Sequence, residues 1–102
     1  MLTIAEIKEK IVPLCKKYNV HRAYLFGSYA RGKADEKSDV DIRIEGDGSN
    51  LRTLLDEAEL QDDLEQIFKK KVDLMTALPE GDINKIMRNQ ILRDEVILYE
   101  AM

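Results

Sequence analysis

Residues 39 to 44, Asp-Val-Asp-Ile-Arg-Ile, alternate strictly between charged and β-branched apolar side chains. Successive side chains of an extended chain point to opposite faces, so this run reads as a strand with Val40, Ile42 and Ile44 in a core. Asp39, Asp41 and Arg43 then share the other face. The alternation separates a core face from a polar working face, and any fold for this chain has to respect both.

Upstream, residues 21 to 26 (His-Arg-Ala-Tyr-Leu-Phe) are rich in aromatic and apolar side chains and stop at Gly27, which predicts a short buried strand. Gly27-Ser28 forms a turn into a short helix over 28–32, and the charged stretch Lys33 to Lys37 is a solvated loop before the aspartate strand. A glycine-rich turn that opens a helix presents free backbone N–H groups to phosphate. Two aspartates at short range beyond it offer oxygen ligands to a divalent cation.

The flanking segments are predicted to be mostly helical. Thr3 and Glu6 form a capping box ahead of Ile4, Ile7, Ile11, Leu14, Cys15 and Tyr18, an amphipathic stripe with a kink or restart expected at Pro13 and an end at Asn19. A turn over 45–50 leads to a helix from about Leu51 to Lys69. Val72 to Ala77 is a third strand, carrying Asp73, and Pro79 and Gly81 break the chain. Asp82 caps a last helix to about Leu92, followed by an edge strand over Val96 to Tyr99. The expected class is α/β (α+β): a small mixed sheet flanked by helices.

At 102 residues the chain is expected to be a single domain, residues 1–102, with no room for a separate acceptor-binding domain, so a second substrate has to meet it directly. With 16 basic and 20 acidic residues its net charge is −4, which argues against neutralisation of nucleic-acid phosphates as the source of affinity. The single Cys15 allows no internal disulfide, and neither a signal stretch nor a membrane-length apolar run is present, so a cytoplasmic, membrane-free protein is expected. The sequence leaves the oligomeric state open.

Asp73 on a strand beside the aspartate strand would bring three carboxylates together. Magnesium takes oxygen ligands and commonly combines a few carboxylates with substrate phosphates, and two such ions about 3.5–4 Å apart stabilise both oxygens of a phosphoryl transfer. An isolated Asp-x-Asp among 20 acidic residues is weak evidence, and Gly27-Ser28 alone reads as an ordinary turn with Ser28 as N-cap. Together, in strand-turn-helix and strand contexts, the two signals outweigh those simpler readings.

Gly27-Ser28-x-Ala30-Arg31-Gly32-x5-Ser38-Asp39-x-Asp41-Ile42 resembles the signature of the DNA polymerase beta-like nucleotidyltransferase superfamily, in its minimal nucleotidyltransferase (MNT) branch. Lys71-Val72-Asp73-Leu74 is similar to that family's third acidic strand and Ile91 to Tyr99 to its C-terminal end, so the likeness covers about half the chain at motif level. The resemblance implies the polymerase beta-like fold and transfer of a nucleoside monophosphate to a hydroxyl. It implies Asp39, Asp41 and Asp73 as catalytic metal ligands for two Mg2+ ions, with Asp73 also helping to deprotonate the acceptor. It assigns Gly27, Ser28, Arg31 and Ser38 to the nucleotide, Ser38 chiefly by positioning the strand.

MNT proteins of this kind often act as antitoxins that adenylylate a tyrosine of a HEPN-family toxin. The resemblance therefore implies ATP as substrate and a HEPN toxin as protein partner. The alternative is a binding antitoxin that neutralises its partner by occlusion. Arg43 departs from the family's usual apolar residue, and the expectation is a solvent-facing side chain paired with an acidic neighbour. His21, Cys15 and Lys69–Lys71 read as structural or solvated, and Tyr24, Tyr29 and Tyr99 as mostly core or rim, with Tyr29 beside the phosphate turn also able to touch substrate.

Overall fold

The computed structural model describes residues 2–45, 54–78 and 80–101. Its elements run α1 (Ile4–Lys17), β1 (Arg22–Phe26), α2 (Gly27–Ala30), β2 (Val40–Glu45), α3 (Leu54–Phe68), β3 (Val72–Met75), a 3-10 turn (Asp82–Asn84), α4 (Lys85–Asp94) and β4 (Val96–Glu100). The four strands form one mixed sheet in the order β3-β2-β1-β4. β1 is antiparallel to both β2 and β4, and β2 pairs with β3 in parallel.

Local chemistry sets the ends of α1. The Thr3 hydroxyl accepts from the Glu6 N–H at 3.1 Å while the Glu6 carboxylate accepts from the Thr3 N–H at 3.3 Å, so both sides of the capping box are made. At the other end Asn19 turns left-handed at φ 54°, and the Val20 and Asn19 N–H groups donate back to the Cys15 and Lys16 carbonyls. This is the Schellman closure, for which Asn is tolerated because its short side chain accepts that conformation. Pro13 does not divide the helix; α1 runs through it unbroken.

Ile7, Ile11 and Cys15 of α1 and Leu60, Leu64 and Phe68 of α3 recur at four-residue steps and are buried. They close over Ala23, Leu25, Val40, Ile42, Ile44, Val72 and Leu98 from the sheet, giving one core on one face. The tie between the two helices is completed at the rim, where Tyr18 Oη donates to Asp63 at 2.6 Å and Lys17 Nζ at 3.0 Å.

Several boundaries differ from expectation. β3 ends at Met75, and α3 ends at Phe68, where Lys69 turns left-handed. Asp82 does not cap a helix; it opens a 3-10 turn after Gly81, and α4 follows without a side-chain cap. β2 begins at Val40, so Asp39 precedes the strand and Glu45 belongs to it. The turn expected beyond Glu45, the first positions of the helix expected from Leu51, and Pro79 lie outside the described residues.

Arg43 corrects the expectation most. Its side chain is 7% exposed, not solvated, although it does pair with carboxylates as foreseen: Glu95 at 2.8 Å and Glu45 at 3.3 Å.

Candidate active site

The parallel pairing of β2 with β3 places Asp41 opposite Asp73 in register. Both side chains leave the sheet on the face away from the core, as the alternation along 39–44 requires. β1 runs on the other side of β2, with Phe26 opposite Asp41, and the chain then turns at Gly27 into α2. The sequence thus delivers a phosphate-type turn and two carboxylates to one spot from three adjacent strands.

Gly27 has φ 72°, a conformation that L side chains rarely adopt, and a Cβ there would stand 2.9 Å from Asp41 Cγ and collide with Oδ2. Glycine is required at this position for both reasons, so the turn and the carboxylate are in van der Waals contact. Arg31 follows α2 as its C-terminal residue and its N–H donates to the Gly27 carbonyl at 3.1 Å.

A cleft of about 350 Å3 opens between these groups and α4, with Gly27, Arg31, Asp41 and Asp73 on one side and Gln90 and Asp94 on the other. Arg31 Nη1 reaches Asp94 Oδ2 across it at 3.7 Å. Burial pushes the Asp41 carboxyl up to about 6, and the neighbouring Asp73 and Asp39 charges push the same way against a smaller pull from Arg31. The site is therefore rich in mutually repelling carboxylate charge, which one arginine offsets only in part. That is the electrostatic condition a divalent cation relieves, and hard oxygen donors suit magnesium.

The expected site residues divide into three groups. Gly27, Arg31, Asp41 and Asp73 line the cleft together. Asp39 is exposed ahead of β2 and reaches Asp41 through charge repulsion; among the described residues no three acidic, histidine or cysteine side chains close on a common point. Ser28 is half-buried and does not cap α2, whose N-cap is Phe26 with no side-chain bond. Ser38 faces its own loop: its hydroxyl donates to Asp35 Oδ1 at 3.2 Å and accepts from the Asp35 N–H at 2.9 Å, while Lys37 N–H donates to the same carboxylate at 2.8 Å. Lys70 Nζ fastens that loop to β3's entrance by donating to the Glu36 carbonyl at 2.8 Å.

Tyr29 does not face the cleft; its ring is part of the core cluster and its hydroxyl is buried. Burial pushes the Cys15 thiol up to about 12, so it stays protonated and unreactive. The wall formed by α4 escaped the reading of the sequence. Met87, Gln90 and Asp94 stand at three- and four-residue steps on one helical face, and that spacing was a usable signal.

Comparison with known proteins agrees with this geometry. Residues 9–102 match the family described as Polymerase beta, Nucleotidyltransferase. A relative from Methanocaldococcus jannaschii, provisionally named protein adenylyltransferase MJ0435, is 41% identical over 96 residues, covering 93% of this chain and 97% of its own. Protein adenylyltransferase MntA of Thermococcus cleftensis is 34% identical over 97 residues, 89% of this chain and 96% of its own. A chain in the structure described as tri-AMPylated Shewanella oneidensis HEPN toxin in complex with MNT antitoxin superposes with a TM-score of 0.68 at 20% identity, over 97% of this chain and 74% of that one, which shows a shared fold. With the signature at 27–42, the in-register aspartates and this match over nearly its whole length, the chain belongs to the polymerase beta nucleotidyltransferase family and is a nucleotidyltransferase of its minimal branch.

Proposed function

We propose that this chain is the antitoxin of a HEPN/MNT pair, acting in the cytoplasm, and that it transfers AMP from ATP to a tyrosine hydroxyl of its HEPN toxin. The observation that carries the reading is the in-register pair Asp41 and Asp73, which lines one side of a single cleft together with the Gly27 turn and Arg31. Two relatives that bear the name protein adenylyltransferase support the choice of AMP and of a protein acceptor. The likeness in fold to a chain of the HEPN–MNT complex supports the choice of partner. Among the described residues no helix is long and apolar enough to cross a membrane.

Asp41 and Asp73, with Asp39 at the entrance of β2, would hold magnesium, whose role when bound is to neutralise the charge that develops on the phosphates. Every other step falls to the chain. The backbone N–H groups of Gly27 and Ser28, which have no partner within a helix that starts there, take the terminal phosphates, joined by the Ser28 hydroxyl. Arg31, with one carboxylate neighbour at 3.7 Å, turns its remaining donors to the leaving pyrophosphate. Ser38 holds the 35–38 loop so that β2 starts in register. Asp73, the more exposed carboxylate, takes the proton of the attacking hydroxyl. The hydroxyl oxygen bonds to the α-phosphorus, the bond from that phosphorus to the bridging oxygen breaks, and pyrophosphate leaves with the electron pair.

Incubation of the chain with its HEPN partner, magnesium and ATP labelled in the α-phosphate is expected to label the partner, and Asp41→Asn to abolish the label. No transfer to the cognate partner would sink the reading. If Asp39→Asn with Asp41→Asn still neutralises the toxin, occlusion and not modification is the mechanism.

A further inference from the structure

Two residues beyond Asp41 on the same face of β2 stands Arg43, whose guanidinium has no place in the chemistry above. It crosses the sheet. Arg43 lies opposite Tyr24 of β1, with its guanidinium carbon 4.3 Å from that ring's centre, and reaches over β1 to Glu95 at the α4–β4 junction. There Nε donates to Glu95 Oε2 at 3.0 Å and Nη2 to both carboxylate oxygens at 2.9 and 2.8 Å. The side chains are 7% and 14% exposed, so the pair is shielded from the screening that makes surface ion pairs weak.

The position of this pair gives it a consequence at the cleft. Glu95 is the C-cap of α4, and its N–H donates to the Ile91 carbonyl. The residue before it is Asp94, which meets Arg31 across the cleft. Two arginines on the substrate side thus hold adjacent carboxylates at the end of α4: Arg43 holds Glu95 in a rigid fork, and Arg31 holds Asp94 at a looser 3.7 Å. Arg43 gives its hydrogen bonds to Glu95 and Glu45. Its charge is taken up by Glu95 and Glu45, so it acts by geometry and leaves the carboxylates free for a cation.

We propose that Arg43 is a positioning residue for nucleotide binding: by locking Glu95 onto the catalytic strand it fixes the end of α4, and through Asp94 it sets where Arg31 stands for the phosphates. This rests on the nucleotide part of the reading above, and not on the identity of the acceptor. Removing Arg43 alone strands a buried carboxylate, so the informative variant is Arg43→Met with Glu95→Gln, which keeps volume and deletes both charges. Arg43→Lys keeps the charge and loses the fork.

Binding of a non-hydrolysable ATP analogue in the presence of Mn2+, and of Mn2+ alone, should be measured by calorimetry for these variants and the wild type, with thermal melting to confirm folding. For the double variant the expected result is Mn2+ affinity within about twofold of wild type and analogue affinity about tenfold weaker, some 1.4 kcal/mol, with Arg43→Lys in between. A purely structural role would lower the melting temperature without separating the two affinities. Folded variants that bind the analogue within twofold of wild type overturn the proposal. A wild-type chain that binds nucleotide yet modifies no partner sinks the proposed function and leaves this assignment standing.

Discussion

Gly27 and Asp41 are packed so closely that any side chain at the glycine would overlap the carboxylate. Gly27→Ala therefore meets two penalties, a left-handed backbone at φ 72° and a collision, and relief comes only by moving the turn or Asp41. We expect a loss of about 2 kcal/mol or more in stability, read from denaturant unfolding, and at least a hundredfold loss in AMP transfer. Gly32, with the same φ but nothing within 4 Å of its would-be Cβ, is the control: Gly32→Ala should cost strain only, about 1 kcal/mol.

On the proposed function, Asp41 makes stability and activity pull against each other. Its carboxyl is raised above the ordinary 3.8 to about 6 in the folded chain, so the folded state holds this proton more tightly than the unfolded one. The resulting stabilisation is complete below about pH 4 and disappears as pH rises through about 6. In EDTA, Asp41→Asn should melt higher than wild type at pH 7, by about 1 kcal/mol or roughly 4–8 °C once solvent screening is allowed for. Wild type should close that gap below pH 4. AMP transfer instead needs the ionised carboxylate and should be absent in the variant at every pH.

Arg31 stands between Asp94 and the substrate side of the cleft. Asp94→Asn removes a half-exposed contact at 3.7 Å and should change stability by less than about 1 kcal/mol. Arg31→Ala should raise KM for ATP about tenfold while leaving the melting temperature nearly unchanged, a split that steady-state kinetics beside a thermal melt would reveal.

Far from the cleft, the Tyr18 hydroxyl and, after it, Lys17 hold the Asp63 carboxyl below its usual range. A carboxyl lowered in this way adds stability above its ordinary pKa and loses it as pH falls through the folded value. Tyr18→Phe should cost about 1 kcal/mol at pH 7 and leave transfer intact; an equal loss of activity would contradict the separation of this tie from the site.

Much of this arrangement is visible in the sequence because period-2 alternation and turn chemistry act locally. The core face at Val40, Ile42 and Ile44, the capping box at Thr3 and Glu6, and the glycine turn at 27 all follow from neighbouring residues. The contacts that sequence could not supply span long separations. Arg43 looks like a solvated charge until Glu95, 52 residues on, is brought over Tyr24 to meet it. Asp94 looks like a helix-end carboxylate until α4 is laid across the sheet opposite Arg31. Asp82 misled because an acidic residue after glycine is a good capping signal, whereas here it opens a 3-10 turn.

The parallel pairing of β2 with the edge strand β3 makes the candidate site depend on the margin of the sheet. β1 and β2 form an antiparallel pair that holds Gly27 and Asp41, whereas Asp73 lies beyond α3, the crossover that sets β3 parallel to β2 at the margin of the sheet. At that margin β3 is held on one side by β2 and on the other by side chains of α3: Gln61 donates to the Val72 carbonyl and the Glu65 carboxylate accepts from the Val72 N–H. A chain whose border strand has peeled away keeps its hairpin and its phosphate turn, yet lacks one of the two facing carboxylates. On the proposed function, catalysis is thereby reserved for the closed sheet, and loss of the β3 border should abolish AMP transfer.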